Sequence, residues 1–100
     1  MTADNWCLYL IRFDTRLYAG ITNDMDRRLG QHRSGRGAKC LRGRTDLRLA
    51  YVSAPAYTHR QAARAEYRLK RKTKRFKEWV VAAQPTAVVE VLLNELDLKK

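Results

Sequence analysis

Three sets of residues break the pattern expected of a small domain whose only task is to fold. Arg28 and His32 stand one helical turn apart in the series Met25, Arg28, Leu29, His32, whose i, i+3, i+4, i+7 spacing marks an inward face. An inward arginine is rare unless it is paired or aimed at a ligand, which makes both residues candidates for holding an anion. The plainer alternative is an Arg28 that reaches outward along its aliphatic stem and a His32 that is a hydrogen-bonded core histidine. Glu66 is one of two carboxylates between residues 27 and 75, the other being Asp46. Mg²⁺ takes one or two protein carboxylates and fills its shell with water and phosphate oxygens, so a single glutamate can serve as metal ligand. The competing reading is an ion pair with Lys70 four residues on. Tyr9 and Tyr18 lie in two apolar, aromatic runs separated by Asp14-Thr15. A two-residue turn there places Tyr9 opposite Gly20 and Ile11 opposite Tyr18, with both tyrosines diagonal on one face. A slip of one residue would send them to opposite faces.

These side chains need elements to position them. Residues 6–13 (WCLYLIRF) and 16–22 (RLYAGIT) read as a hairpin. A third strand is expected over 46–53, with Leu47, Leu49 and Tyr51 on one side, Arg48, Ala50 and Val52 on the other, and Pro55 ending the pattern. Between the second and third strands a helix starts at Asn23 as cap, with Asp24 and Asp26 in its first turn. Ser34-Gly35-Arg36-Gly37 breaks it, and residues 38–44 form a basic loop or short helix suited to phosphate. Thr58-x-x-Gln61 is a capping box that opens a helix to about Lys72, with inner stripe Ala62, Ala65 and Leu69 and Glu66 at its border. Thr73 caps a further helix that sends Phe76, Trp79 and Val80 into the core. Pro85 starts a last segment with Val88, Val89, Leu92, Leu93 and Leu96 at helical spacing. The class is α+β, in the order ββαβααα.

The 100 residues carry a net charge of +11, and its distribution is informative. Residues 1–26 hold two Arg against four Asp, residues 27–75 hold sixteen Lys/Arg against two acids, and residues 76–100 hold three Lys against four acids, or −2, +14 and −1. A block of one sign repels itself in the compact state and attracts polyanions, so nucleic acid is the expected partner. A membrane surface is disfavoured, because the cations spread over loops and several elements rather than one amphipathic helix. Arg27, Arg33, Arg36, Lys39, Arg42, Arg44 and Lys70 are the expected phosphate contacts. The absence of a leader pattern or an apolar run of about 18 residues points to the cytoplasm, at the nucleoid. Cys7 and Cys40 are expected to be reduced thiols.

Taken in order, Tyr9 within Cys7-Leu8-Tyr9, Tyr18-Ala19-Gly20, Gly20-Ile21-Thr22-Asn23-Asp24 leading to Arg28-Leu29-Gly30-Gln31-His32, and Glu66 followed by Lys70 resemble the GIY-YIG nuclease family. The likeness is to its short stand-alone bacterial members, related to the catalytic domain of the excision-repair nuclease subunit and to structure-specific nucleases. It covers about residues 6–83 and implies a three-stranded antiparallel sheet flanked by helices, a domain of residues 1–84; the apolar face of residues 88–96 makes 85–100 a C-terminal extension expected to pack on the domain or on a second copy. It implies Tyr9, Tyr18, Arg28, His32 and Glu66 as catalytic residues, Glu66 as ligand of Mg²⁺ or Mn²⁺, and endonucleolytic hydrolysis of DNA in repair or recombination, on branched, flapped or single-stranded substrate. Cys7-Leu8 replaces the first motif's Gly-Ile, Ala19 replaces the second motif's Ile, and the asparagine that some relatives carry after the glutamate has no counterpart before Asn94. By this likeness a tyrosine activates water, which asks its hydroxyl pKa to fall by about 3 units, roughly 4 kcal/mol. His32 offers a second route, accepting the proton while a tyrosine orients the water. The alternative function is a nucleic-acid-binding protein that keeps the fold without cutting.

Overall fold

Asp14 and Thr15 form the two-residue turn, with Asp14 in the left-handed region at φ 53° that Asp tolerates better than most residues. Strands β1 (Cys7–Phe13) and β2 (Arg16–Thr22) pair antiparallel through it, and Tyr9 opposes Gly20 while Ile11 opposes Tyr18. The computed structural model describes residues 4–95, so Leu96 lies outside the described residues. Strand β3 (Arg48–Val52) pairs antiparallel with the other edge of β1, giving the sheet order β2-β1-β3. The expected strand at 46–53 is shortened, and its alternation fails at a bulge. Tyr51 pairs with Leu10 but Leu49 pairs with Ile11, so the extra residue Ala50 turns Leu49 away from the face that buries Tyr51. Leu49 is exposed.

Helix α1 (Met25–Arg33) follows β2 and is capped by Asp24, whose carboxylate accepts from the Arg27 N–H. The cap thus falls one residue later than Asn23, because the Thr22 hydroxyl accepts from the Asp24 N–H and extends the turn. A 3-10 turn (Lys39–Leu41) interrupts the basic loop. Helix α2 (His59–Lys70) opens with the expected capping box of Thr58 and Gln61, and its stripe of Ala62, Ala65 and Leu69 is buried. Helix α3 (Lys74–Ala83) is capped by Thr73. Val80 is buried and Phe76 packs on the core, but Trp79 is half exposed, correcting its expected burial: it lies a hundred degrees around the helix from Val80 and rests on the Phe76 ring. Helix α4 (Val88–Leu93) buries Val88, Val89 and Leu92.

The sheet separates two apolar layers. On one face Leu8, Leu10 and Tyr51 meet Ala65, Leu69, Val80, Val88, Val89 and Leu92 from the three later helices. On the other, Tyr9, Ile11 and Phe13 meet Leu41 and Leu47, with Tyr18, Met25 and Leu29 packed against them. Val88, Val89 and Leu92 of the C-terminal apolar stripe are therefore buried in the chain's own core. Polar tethers hold them there: the Tyr51 hydroxyl donates to the Pro85 carbonyl at 2.6 Å, and the Arg68 guanidinium donates to the Leu92, Leu93 and Glu95 carbonyls that end α4. On the sheet's α3 side, Arg12 grips Glu78 through both guanidinium nitrogens at 2.9 and 2.5 Å. Arg12, with Lys74 assisting, holds the Glu78 carboxyl down at about 2. No helix among the described residues is long and apolar enough to cross a membrane.

Candidate active site

The hairpin register brings Tyr9 and Tyr18 to the α1 side of the sheet, where α1 contributes Arg28 and His32. Tyr9 is fully buried and its Oη lies 2.8 Å from His32 Nε2. The Tyr9 ring runs across its cross-strand partner, so that a Cβ on Gly20 would fall 2.5 Å from the phenol carbon Cζ. Glycine is needed there for the tyrosine to lie flat on its neighbour. A second glycine serves the histidine. A Cβ on Gly37 would fall 2.8 Å from His32 Cε1, and the space it leaves lets the Ala38 N–H donate to His32 Nδ1 at 3.1 Å.

That backbone bond decides the histidine's tautomer. An amide N–H can only donate, so Nδ1 is the acceptor and the neutral ring carries its proton on Nε2, which donates to Tyr9 Oη. Burial, with the nearby Arg28 charge adding to it, pushes the His32 pKa below its ordinary value and keeps the ring neutral. Burial also pushes the Tyr9 hydroxyl up to about 12, against the opposing pull of hydrogen bonding from Arg28. Tyr18 differs in access. It is partly exposed, its ring meets His32 edge-on at 5.5 Å and Tyr9 at 6.3 Å, and the Lys70 ammonium lies 5.8 Å from its centre.

Helix α2 packs against β2 and β1, and this brings Glu66 and Lys70 to the β2 edge beside the tyrosines. Glu66 pairs with Lys70 at 3.1 Å, so the ion pair read from their i, i+4 spacing is formed; the carboxylate is 22% exposed and the ammonium 51%. Arg28, half-buried, has one guanidinium nitrogen donating to Gln31 Oε1 at 2.9 Å, an i, i+3 contact within α1. Among the described residues no group of three or more His, Cys, Asp or Glu is assembled. A hard cation that takes a single protein carboxylate and completes its shell with water and substrate oxygens is the kind that Glu66, partly exposed beside Lys70, would fit.

A model of the GIY-YIG catalytic domain matches residues 5–78, a span that takes in both tyrosines, the α1 pair and Glu66. The chain belongs to the GIY-YIG family. As a GIY-YIG domain it falls within a nuclease superfamily, and it is similar to proteins carrying the name UPF0213. It is 55% identical to the UPF0213 protein YhbQ of Escherichia coli O127:H6 over 91% of this chain and 89% of that one. It is 49% identical to the UPF0213 protein ORF82 of Orgyia pseudotsugata multicapsid polyhedrosis virus, over 94% and 92% of the two chains. No solved structure matches.

The expected phosphate contacts of this GIY-YIG chain divide by what they already touch. Arg36, Lys39 and Arg42 are exposed. Arg27 lies 3.8 Å from its own helix cap Asp24, Arg33 donates to the Leu47 carbonyl at 3.4 Å, and Arg44 pairs with Asp14 at 2.5 Å while covering the Phe13 ring. Arg33 and Arg44 thus also tie down the basic loop. Sequence reasoning missed Gly37, whose signal was its place just past the helix that carries His32. It also missed the cleft of about 500 Å³ beside Tyr18, walled by Phe13 and Leu17 and rimmed by Arg16 and Lys77.

Proposed function

We propose that this GIY-YIG domain is a Mg²⁺- or Mn²⁺-dependent endonuclease that hydrolyses phosphodiester bonds of DNA, on branched, flapped or single-stranded regions met in repair. The observation that carries the reading is the meeting of Tyr18, Arg28 and Glu66 around the buried Tyr9–His32 pair. Glu66 would hold the metal, and the bound cation would supply charge neutralisation at the phosphate and the departing oxygen. Arg28 would offer its guanidinium to phosphate oxygens, a planar two-point grip that a lysine cannot reproduce. Tyr18 is partly exposed, so solvent and substrate can reach it where Tyr9 is closed off, and this access supports it as the group that takes the proton from water. Tyr9 is out of reach of solvent and harder to ionise, and both ring nitrogens of the buried His32 are engaged, by the Ala38 N–H and by Tyr9, so these two act as a strut beside Tyr18 and Arg28.

The test is incubation of the pure protein with labelled single-stranded, duplex and branched DNA, with and without Mg²⁺. Metal-dependent product is expected from the wild type, and Glu66→Ala should lose it while still retarding the same DNA on a gel. Undiminished cutting by that variant would remove Glu66 from the metal role. Absence of product from every substrate would leave the chain as a nucleic-acid binder, a reading the Glu66–Lys70 pair also accommodates.

A further inference from the structure

Arg60, Arg64, Tyr67 and Arg71 follow one another at i, i+4, i+7 and i+11 along α2, on a face about 100–160° around the helix from Glu66. This face has no part in the core and no role in the site described above. Among the described residues the Arg60 and Arg64 side chains have no hydrogen-bond or ion-pair partner, and like charges at i, i+4 destabilise a helix. Among the described residues neither arginine is paired with an acid that would relieve this repulsion. Tyr67 is the most exposed of the large apolar side chains, at 63%. The Arg71 guanidinium lies 5.5 Å from the centre of its ring and covers one face of it. Next to it a groove of about 470 Å³ runs between α2 and the end of α4, where Arg68 and Lys72 are occupied by the Leu92, Leu93 and Glu95 carbonyls and the Glu95 carboxylate.

We infer that this face of α2 is a binding site for single-stranded nucleic acid, in which a base stacks on the open side of Tyr67 and Arg60 and Arg64 hold the adjoining phosphates. A row of cations alone would grip duplex and single strand alike. The aromatic platform with a guanidinium behind it selects the unpaired strand, because only an unpaired base offers a free π-face. That the bound segment continues the strand at Glu66, as the flap or tail of a branched substrate, rests on the function proposed above; the binding itself does not.

Fluorescence anisotropy of the full chain with labelled oligothymidylate and with a duplex of equal length, both in EDTA, separates the two questions. Tyr67→Ala should weaken single-strand binding by roughly 5- to 150-fold and leave duplex binding within about twofold, while Tyr67→Phe keeps both. The double variant Arg60→Ala/Arg64→Ala should make the single-strand salt slope shallower by about 1.4. Tyr67 is exposed enough for its truncation to leave the core intact, which circular dichroism checks. Unchanged single-strand affinity in Tyr67→Ala, or equal losses for duplex and single strand, would overturn the inference. If wild type cuts DNA but Tyr67→Ala binds normally, the inference falls and the nuclease reading stands. If nothing is cut yet Tyr67→Ala loses the single strand, the reverse holds.

Discussion

His32 carries a pH dependence of this fold close to neutrality. Its Nδ1 accepts the Ala38 N–H and its Nε2–H donates to Tyr9, so a second proton must break the backbone bond and charge a buried ring. The folded-state pKa lies below the unfolded value of 6.5. Between the two the unfolded chain binds more protons, so stability is full above pH 6.5 and is lost as pH falls below it, by up to about 1.4 kcal/mol per pH unit. Urea titrations at pH 7.5 and 5.5 should show this loss in the wild type and its absence in His32→Asn. An equal loss in both would place the acid sensitivity elsewhere. The residue types of this cluster were legible from the sequence, since a polar pair on an apolar helical face and a glycine opposite a tyrosine are patterns. The tautomer was not, because it depends on how closely the loop at Gly37 approaches the ring, and that distance has no periodicity to reveal it.

At the scale of elements, what could be read was what local chemistry fixes. The two-residue turn at Asp14-Thr15 pointed to the hairpin register that is observed, with the one-residue slip the alternative it had to beat, and Thr58 and Gln61 set the start of α2. Two features escaped for related reasons. The bulge at Ala50 inserts one residue and reverses the alternation behind it, and Trp79 lies near enough to the apolar stripe of α3 to suggest burial, which only the placement of α3 on the sheet decides. The cap on α2 matters beyond its own helix, since α2 carries Glu66 at the site on one face and Arg60, Arg64 and Tyr67 on another. Thr58→Ala removes the acceptor of the Gln61 N–H and should cost about 1 kcal/mol, within a range of roughly 0.5–2. The midpoint of urea denaturation should fall with an unchanged slope. No shift would mean that packing of Ala62, Ala65 and Leu69 alone fixes the helix start.

For the whole molecule, the question is whether a charge of +11 is a specific tool or a general stickiness. The sixteen cations of residues 27–75 are spread over α1, the basic loop, β3, α2 and the start of α3, and several have partners of their own: Arg33, Arg44, Arg68, Lys70 and Lys74 are all engaged within the chain. Only part of the formal charge therefore remains to neutralise phosphate. If about 5 phosphates are contacted, the logarithm of affinity should fall against the logarithm of salt with a slope of about −4.5 for duplex and −3.5 for a single strand. A slope near −14 would mean that every charge of the basic block acts as a free counterion and that the internal pairs do not hold in solution. A slope flatter than about −1 would mean that the field is not engaged by phosphate at all. Binding measured in EDTA from low to moderate salt distinguishes these cases without any cleavage. The intermediate value is expected because the fold spends a share of its cations on tethering the basic loop and closing the end of α4, and leaves the rest beside the Tyr18 cleft and along α2.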